Sequence, residues 1–387
     1  MRGLDVPART EDFTADPVEL FFDLAYVFAF SQLVGRLVHD PTWEGVGEVA
    51  LLFALLWLPW QQFTWSANAV SGNGRTVRVF FLIATAASVP MAASVSTALG
   101  AGGPVFAISL GTIFLIGAAT MALGVETGSA VYASTIRWVG PNVAALALLI
   151  VGSFLDDAAR VAVWCVVLVI VLAAMILAGR GEWIVRSGHF AERHALIVIV
   201  ALGEIIVAIG LPVVEALEGG EGLPARTVVA LVASGVFAAL LWWAYFDRPS
   251  PALEHRGESI TDARERGRYV RDVYTWAHAP IAAGIVLAAA ALEEIALHPG
   301  EEIDTNFRLM LFSGLALGVL GVSAAVWRAF HAIARERIVA AVLIGLLLLV
   351  ARSWSGVLLL VTVDAIILAM LAVEQLRVES PHREANR

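Results

Sequence analysis

Between its charge clusters this chain runs apolar for about twenty residues at a time, the length a helix needs to cross ~30 Å of hydrocarbon. That pattern restricts the fold more than any motif does. With no water in a bilayer core, backbone groups must be satisfied within the segment, which helices do and open sheets cannot. Strand-type alternation is absent, so a β-barrel is not expected. Charged residues are 15% of the 387, well below the quarter or so usual in soluble domains. The expected fold class is an all-α integral membrane protein with about twelve transmembrane helices.

The spans fall near 17–38, 46–67, 77–99, 104–124, 139–155, 158–178, 192–214, 225–246, 270–292, 306–328, 336–352 and 354–376. The fifth and sixth are separated only by Leu155-Asp156-Asp157, and the last two by Arg352-Ser353. Ten or eleven spans result if one of these pairs is re-entrant or interfacial. The first run carries Glu19 and Asp23, and Glu11, Asp12 and Asp16 lie ahead of it, so it reads as a retained membrane helix and not a cleaved signal.

Charge sidedness tests the count. All 25 basic residues are Arg, and with the N-terminus inside, twenty fall in inner segments. The outer connections hold Arg36, Arg160, Arg226, Arg308 and Arg352, and they are rich in Asp and Glu. Both termini are therefore expected to be cytoplasmic in the cell membrane. The organisation this gives is a cytoplasmic segment 1–16, a first membrane half 17–178, a linker 179–191, a second half 192–376 and a tail 377–387. Span two ends in an aromatic run, Trp57 to Trp65, and span eight in another, Trp242 to Phe246. Each is followed by a paired-Arg start, Arg75/Arg78 and Arg268/Arg271. Two parallel six-helix repeats would produce this, as would aromatic belts and inner Arg at any two inner ends.

Ionisable groups inside spans are costly and need partners or water. Glu19 and Asp23 are four apart, so they share a helix face. Glu204 lies ~16 Å beyond Arg193 at 1.5 Å per residue, near mid-membrane. His278 precedes Pro280, and Asp364 lies well inside the last span. One reading makes Glu19, Asp23, Glu204, His278 and Asp364 an ion, proton or solute pathway, with Pro280 freeing a carbonyl toward a cavity. The other makes them helix contacts, with Arg78, Arg137 or Arg193 available to pair with Glu19 or Asp23. His189 and His194 are five apart and diverge by ~140° on a helix, which is not a zinc spacing. Residues 189–194 read instead as a capped, charged helix start at the interface. The lone Cys165 excludes an intrachain disulfide. No nucleophilic triad, phosphate loop or dinucleotide fingerprint is present, so no catalytic residue, metal or cofactor is expected. Gly314 and Gly318 read as a close-packing surface.

Three stretches together resemble the bacterial low temperature requirement protein A (LtrA) family. They are Val18-Glu19-Leu20-Phe21-Phe22-Asp23-Leu24, then His189-Phe190-Ala191-Glu192-Arg193-His194 continuing to Gly203-Glu204, and His278-Ala279-Pro280-Ile281-Ala282-Ala283-Gly284. The resemblance spans about residues 16–376. It implies a multi-pass inner-membrane protein linked to growth in the cold. It marks Glu19, Asp23, Glu192, Arg193, His194, Glu204, His278 and Pro280, and does not carry Asp364.

Three functions compete. The first is a transporter or channel-like protein for a small solute or ion, with proton coupling open. The second is a membrane-embedded lipid-modifying enzyme using His194, His278 and Glu204. The third is a non-transporting membrane stress protein. The partners expected are the lipid bilayer and an unidentified small solute or ion, with no nucleic acid and no oligomeric state indicated.

Overall fold

The computed structural model describes residues 15–70, 74–217 and 222–385. Most of the expected segment 1–16, the outer-connection residues 218–221 and the end of the tail lie outside them. Among the described residues the regular elements are helical, with one isolated bridge between Glu302 and Ser355. In chain order they are α1 (Pro17–His39), α2 (Trp43–Ala69), α3 (Arg75–Ala93), α4 (Gly103–Leu123), α5 (Ala130–Gly152), α6 (Asp157–Ala178) and α7 (Ser187–Leu217). Then follow α8 (Ala225–Phe246), α9 (Pro249–Glu258), α10 (Ala263–Val270), a π-helical turn (Arg271–Trp276), α11 (His278–Leu297), α12 (Thr305–Phe330), α13 (Arg335–Val350) and α14 (Gly356–Ala385).

Among the described residues eleven helical segments are long and apolar enough to cross a membrane. The protein is an all-α, multi-pass membrane protein. The twelfth apolar helix, α13, has 16 residues, so it rises only ~24 Å. Among the boundaries that differ from the sequence reading are the end of α3 at Ala93, the end of α14 at Ala385 and the starts of α5 and α7. Helix α5 starts at Ala130, nine residues before position 139, where Ser129 caps it by accepting from the Tyr132 N–H. Ser134, Thr135 and Arg137 lower the hydropathy there, yet Ser134 and Thr135 return their hydroxyls to carbonyls four residues back. Helix α7 starts at Ser187, and the charged residues that hid its first turns are buried.

The chain forms two compact units. One holds Met1–Val200 and Ala252–Ala279, the other Ala201–Pro251 and Pro280–Arg387. In the first, α1 packs on α2 and α3, and α4 packs on α2, α3 and α5. Helix α1 turns Phe21, Leu24 and Phe28 outward and buries Glu19, Phe22, Asp23, Tyr26 and Phe30. Polar inside and apolar outside is the reverse of a water-soluble helix, and it fits lipid surroundings. Rings of Phe22, Phe63, Phe81, Phe30, Phe53, Trp57 and Trp60 interlock at centroid spacings of 4.6–6.0 Å.

In the second unit α14 packs on α8 and α13, and α12 on α13. Helices α11 and α12 touch backbone to backbone. A Cβ on Gly284 would stand 2.3 Å from the Gly314 carbonyl oxygen, and one on Gly314 2.4 Å from that of Gly284. Only glycine allows this approach.

The outer Arg residues also have local explanations. Arg36 donates to the Ser96 carbonyl and pairs with Glu48. Arg160 donates to the carbonyls of Gly100 and Leu155, and Arg308 to those of Ala351 and Arg352. Carbonyls left open at helix C-terminal ends attract such cations.

Candidate functional site

The site is built on α1. Asp16 caps this helix by accepting from the Val18 N–H, and Glu19 reaches back to accept from the Asp16 N–H at 3.2 Å. This capping box fixes the Glu19 side chain at the helix start. One turn on, Asp23 Oδ1 and Oδ2 accept from both terminal nitrogens of Arg193, at 2.9 and 2.7 Å. Trp60 Nε1 on α2 donates to the same Oδ1 at 2.8 Å. Arg193 Nε lies 3.4 Å from Glu19 Oε2, close enough for attraction but without a hydrogen bond. The guanidinium also stands over the Trp60 ring, 5.5 Å from its centroid. Asp23, Glu19 and Arg193 are at most 2% exposed. Of the three Arg residues considered as partners, Arg193 alone takes that place. Arg78 pairs with Asp16, and Arg137 donates to the Ala133 carbonyl.

Hydrogen bonds fix the positions of the two histidines on α7. The Arg186 N–H donates to Asn68 Oδ1, so the Asn68 amide nitrogen faces Thr64 O and His189 Nδ1, both at 2.9 Å. His189 Nδ1 therefore accepts, and its Nε2–H donates to Glu19 at 3.1 Å. His194 Nδ1–H donates to the Phe190 carbonyl at 2.8 Å. Its Nε2 accepts from Gln61 Nε2 at 2.9 Å, because Gln61 Oε1 accepts from the Thr275 hydroxyl. That hydroxyl accepts in turn from Trp65 Nε1 at 3.2 Å. Each ring is thus bonded at both of its nitrogens. The segment 189–194 is thus a buried part of the core, not a solvated helix start, because its charges meet partners from α1 and α2.

The π-helical turn supplies the third wall. Ala277 N–H bonds Asp272 O, one residue further back than in an α-helix, which releases the Val273 carbonyl. His278 Nδ1–H takes that carbonyl at 2.9 Å, and Trp57 Nε1 takes Thr275 O at 3.1 Å. Pro280 has no N–H to offer Trp276, so the wide turn falls where the ladder is already broken. The His194 and His278 rings stand 5.1 Å apart.

With both carboxylates ionised, Glu19, Asp23 and Arg193 together carry one net negative charge in a buried place. An uncompensated buried charge is costly, so such a place favours taking up a proton or a cation. Arg186, Glu192, the Arg78–Asp16 pair and the Arg36–Glu48 pair are further charges bonded on these elements. Tyr26, one turn beyond Asp23, is buried with a hydroxyl that finds no partner among the described residues.

Beside this cluster, still in the first unit, lies a small, partly open cleft of about 50 Å³. Gln61, Gln62 and Thr275 line it together with Trp65, Trp138 and Trp183.

The remaining predicted residues fall elsewhere. Glu192 accepts from the Ala15 N–H at 2.6 Å, tying the chain before α1 to α7. Glu204 on α7 and Asp364 on α14 are buried and belong to the second unit, as does Pro280. Asp364 Oδ1 has no partner among the described residues. Trp60, Gln61, Asn68, Arg186, His189 and Thr275 complete the site although sequence reasoning did not place them there. Two adjacent amides, Gln61 and Gln62, inside an apolar run were the available signal.

Comparison with known proteins agrees with the architecture. A family described as "Bacterial low temperature requirement A protein (LtrA)" matches residues 14–373. A relative from Rhizobium meliloti (strain 1021), "Uncharacterized protein RA0937", is 28% identical over 323 residues, covering 81% of this chain and 77% of the relative. No solved structure matches significantly.

Proposed function

The chain belongs to the bacterial low temperature requirement A (LtrA) family, and we propose that it is a transporter or channel-like protein for a small solute or ion, with a proton as the coupling ion. One observation carries the reading. Two carboxylates and one guanidinium, all within the membrane-spanning part, leave a negative charge in excess. Buried ionisable groups in membrane helices are expensive and commonly mark ion or proton paths. His194 lies beside the Trp60 ring and His278 beside His194, and imidazoles are groups able to pass a proton on. Glu204 and Asp364, in the second unit, are further candidate ion- or proton-binding residues in this reading. In this reading the ionisable groups hold and move charge and perform no catalysis. The Arg bias supports a cytoplasmic membrane location with both termini inside. The family name ties the role to growth at low temperature.

A second reading has a specific observation in its favour. Glu19 caps α1 and binds α7, so the cluster also works as helix glue. Flux in proteoliposomes separates the two. With a pH-sensitive dye inside and an imposed potential, wild type is expected to acidify or alkalinise the lumen. Asp23→Asn and Glu204→Gln should abolish the pH dependence while remaining folded. Unchanged flux in both variants rejects the transport site and leaves the glue reading.

A further inference from the structure

Asp364 is a buried acid to which its own unit gives no counter-charge. It lies ~12 Å along α14 from Gly356 and ~15 Å before Glu374, near mid-membrane. It is 7% exposed, and its Oδ1 has no hydrogen-bond partner among the described residues. Helices α8 and α13 pack on α14. Helix α8 carries no ionisable residue between Arg226 and Tyr245, α13 none after Arg337, and α14 none besides Asp364 before Glu374. The charges at the inner end are already engaged. Arg337 pairs with Glu374 at 2.9 Å, Arg248 donates to Gln375 at 2.6 Å, and Arg377 pairs with Glu336.

The polar group at the same depth on α8 is a hydroxyl. Helices α8 and α14 are joined at their inner ends, where Gln375 donates to Asp247 at 2.8 Å. Counting back from that joint, Ser234 lies ~20 Å along α8 and Asp364 ~17 Å along α14. Ser234 is fully buried, and its Oγ, like Asp364 Oδ1, has no partner among the described residues. An Asp in water is ionised at pH 7. A carboxylate buried with no cation is far costlier than the neutral acid, so the group takes up either a cation or a proton. A hard metal cation needs about six oxygen ligands. Among the described residues no three His, Cys, Asp or Glu side chains stand close enough to hold a metal. A proton needs one carboxyl oxygen, and the O–H it makes is a donor that a hydroxyl can accept.

We infer that Asp364 is a proton-binding site of the second unit, held as a neutral carboxylic acid at pH 7 and closed to metal cations. This deepens the transport reading by naming the proton as what Asp364 binds, and it rests on that reading only for what the proton does next. The site differs in kind from the Asp23 cluster. There Arg193 balances part of the charge, whereas at Asp364 protonation alone settles it.

The test is infrared spectroscopy of the full-length protein in lipid nanodiscs at pH 7. The spectrum of wild type minus that of Asp364→Asn should show a carboxylic acid C=O band above the amide region. Labelling with ¹³C-aspartate should move that band down, which excludes Glu204 as its source. Sodium or potassium chloride added at fixed pH should leave it unchanged. A neutral acid holds no ion pair, so Asp364→Asn and Asp364→Leu should both fold, with unfolding midpoints within a few degrees of wild type. Absence of the band, its loss on adding either salt, or failure of both variants to fold overturns the inference. Because the readout is the state of the carboxyl, absent flux with the band present would reject the transport reading alone.

Discussion

Replacing Asp23 by Asn tests the energetics of the site directly. Asp23 accepts two bonds from Arg193 and one from Trp60. An Asn carbonyl can keep one Arg193 bond, but its NH₂ then faces the other guanidinium nitrogen. Removing one side of a buried ion pair costs about 3–5 kcal/mol. Two features place this case at the low end. Arg193 retains Glu19 at 3.4 Å, and loss of one carboxylate relieves the excess negative charge. The expected destabilisation is therefore about 3 kcal/mol. Arg193→Gln alone should cost as much or more, since it leaves two carboxylates without their cation. The double variant should be less destabilised than the sum by about 2 kcal/mol. Unfolding in mixed micelles, followed by tryptophan fluorescence, measures all three. Additivity within about 0.5 kcal/mol would refute the account of a coupled pair.

Gly284→Ala should destabilise by about 1–3 kcal/mol, because its Cβ meets the Gly314 carbonyl at 2.3 Å. Gly318→Ala should be near neutral, since nothing lies within 4 Å of its Cβ, and equal costs for the two in thermal unfolding would contradict the packing. His194→Phe preserves shape but strands the Gln61 amide and the Phe190 carbonyl, at a cost of about 1–3 kcal/mol. Faster amide exchange near α7 residues 190–198 would report it, and unchanged exchange would count against the assigned bonds. Arg308→Met removes the donors to Ala351 and Arg352, so the last turn of α13 should exchange faster while α1 does not change.

Much of this architecture is legible in the residues because lipid imposes a simple rule on backbone and side chain alike. Apolar runs of membrane length mark most helices, and the i, i+4 spacing of Glu19 and Asp23 places both on the buried face of α1. Arg193 could be named as a candidate partner because depth is countable along a helix. Its choice over Arg78 and Arg137 could not, since the partners are 170 residues apart and no local signal orients α7 against α1. The starts of α5 and α7 were misplaced for a related reason. Hydropathy treats Ser134, Arg193 and His194 as solvated, whereas bonds from other helices or from the preceding turn bury them. Trp60 and Gln61 looked like an aromatic belt at a helix end. Trp60's part depends on Asp23 from α1, and Gln61's on a π-helical turn that sets Thr275 against it, at which a proline two residues after His278 hints only as a broken ladder.

The central claim is that the buried cluster exchanges a proton as part of its work. Transient currents from proteoliposomes on a solid-supported membrane, triggered by a pH jump, measure that charge movement. The account predicts a current in wild type that disappears in Asp23→Asn at equal protein loading and persists in Gly318→Ala. A current of the same size and pH dependence in Asp23→Asn would contradict it.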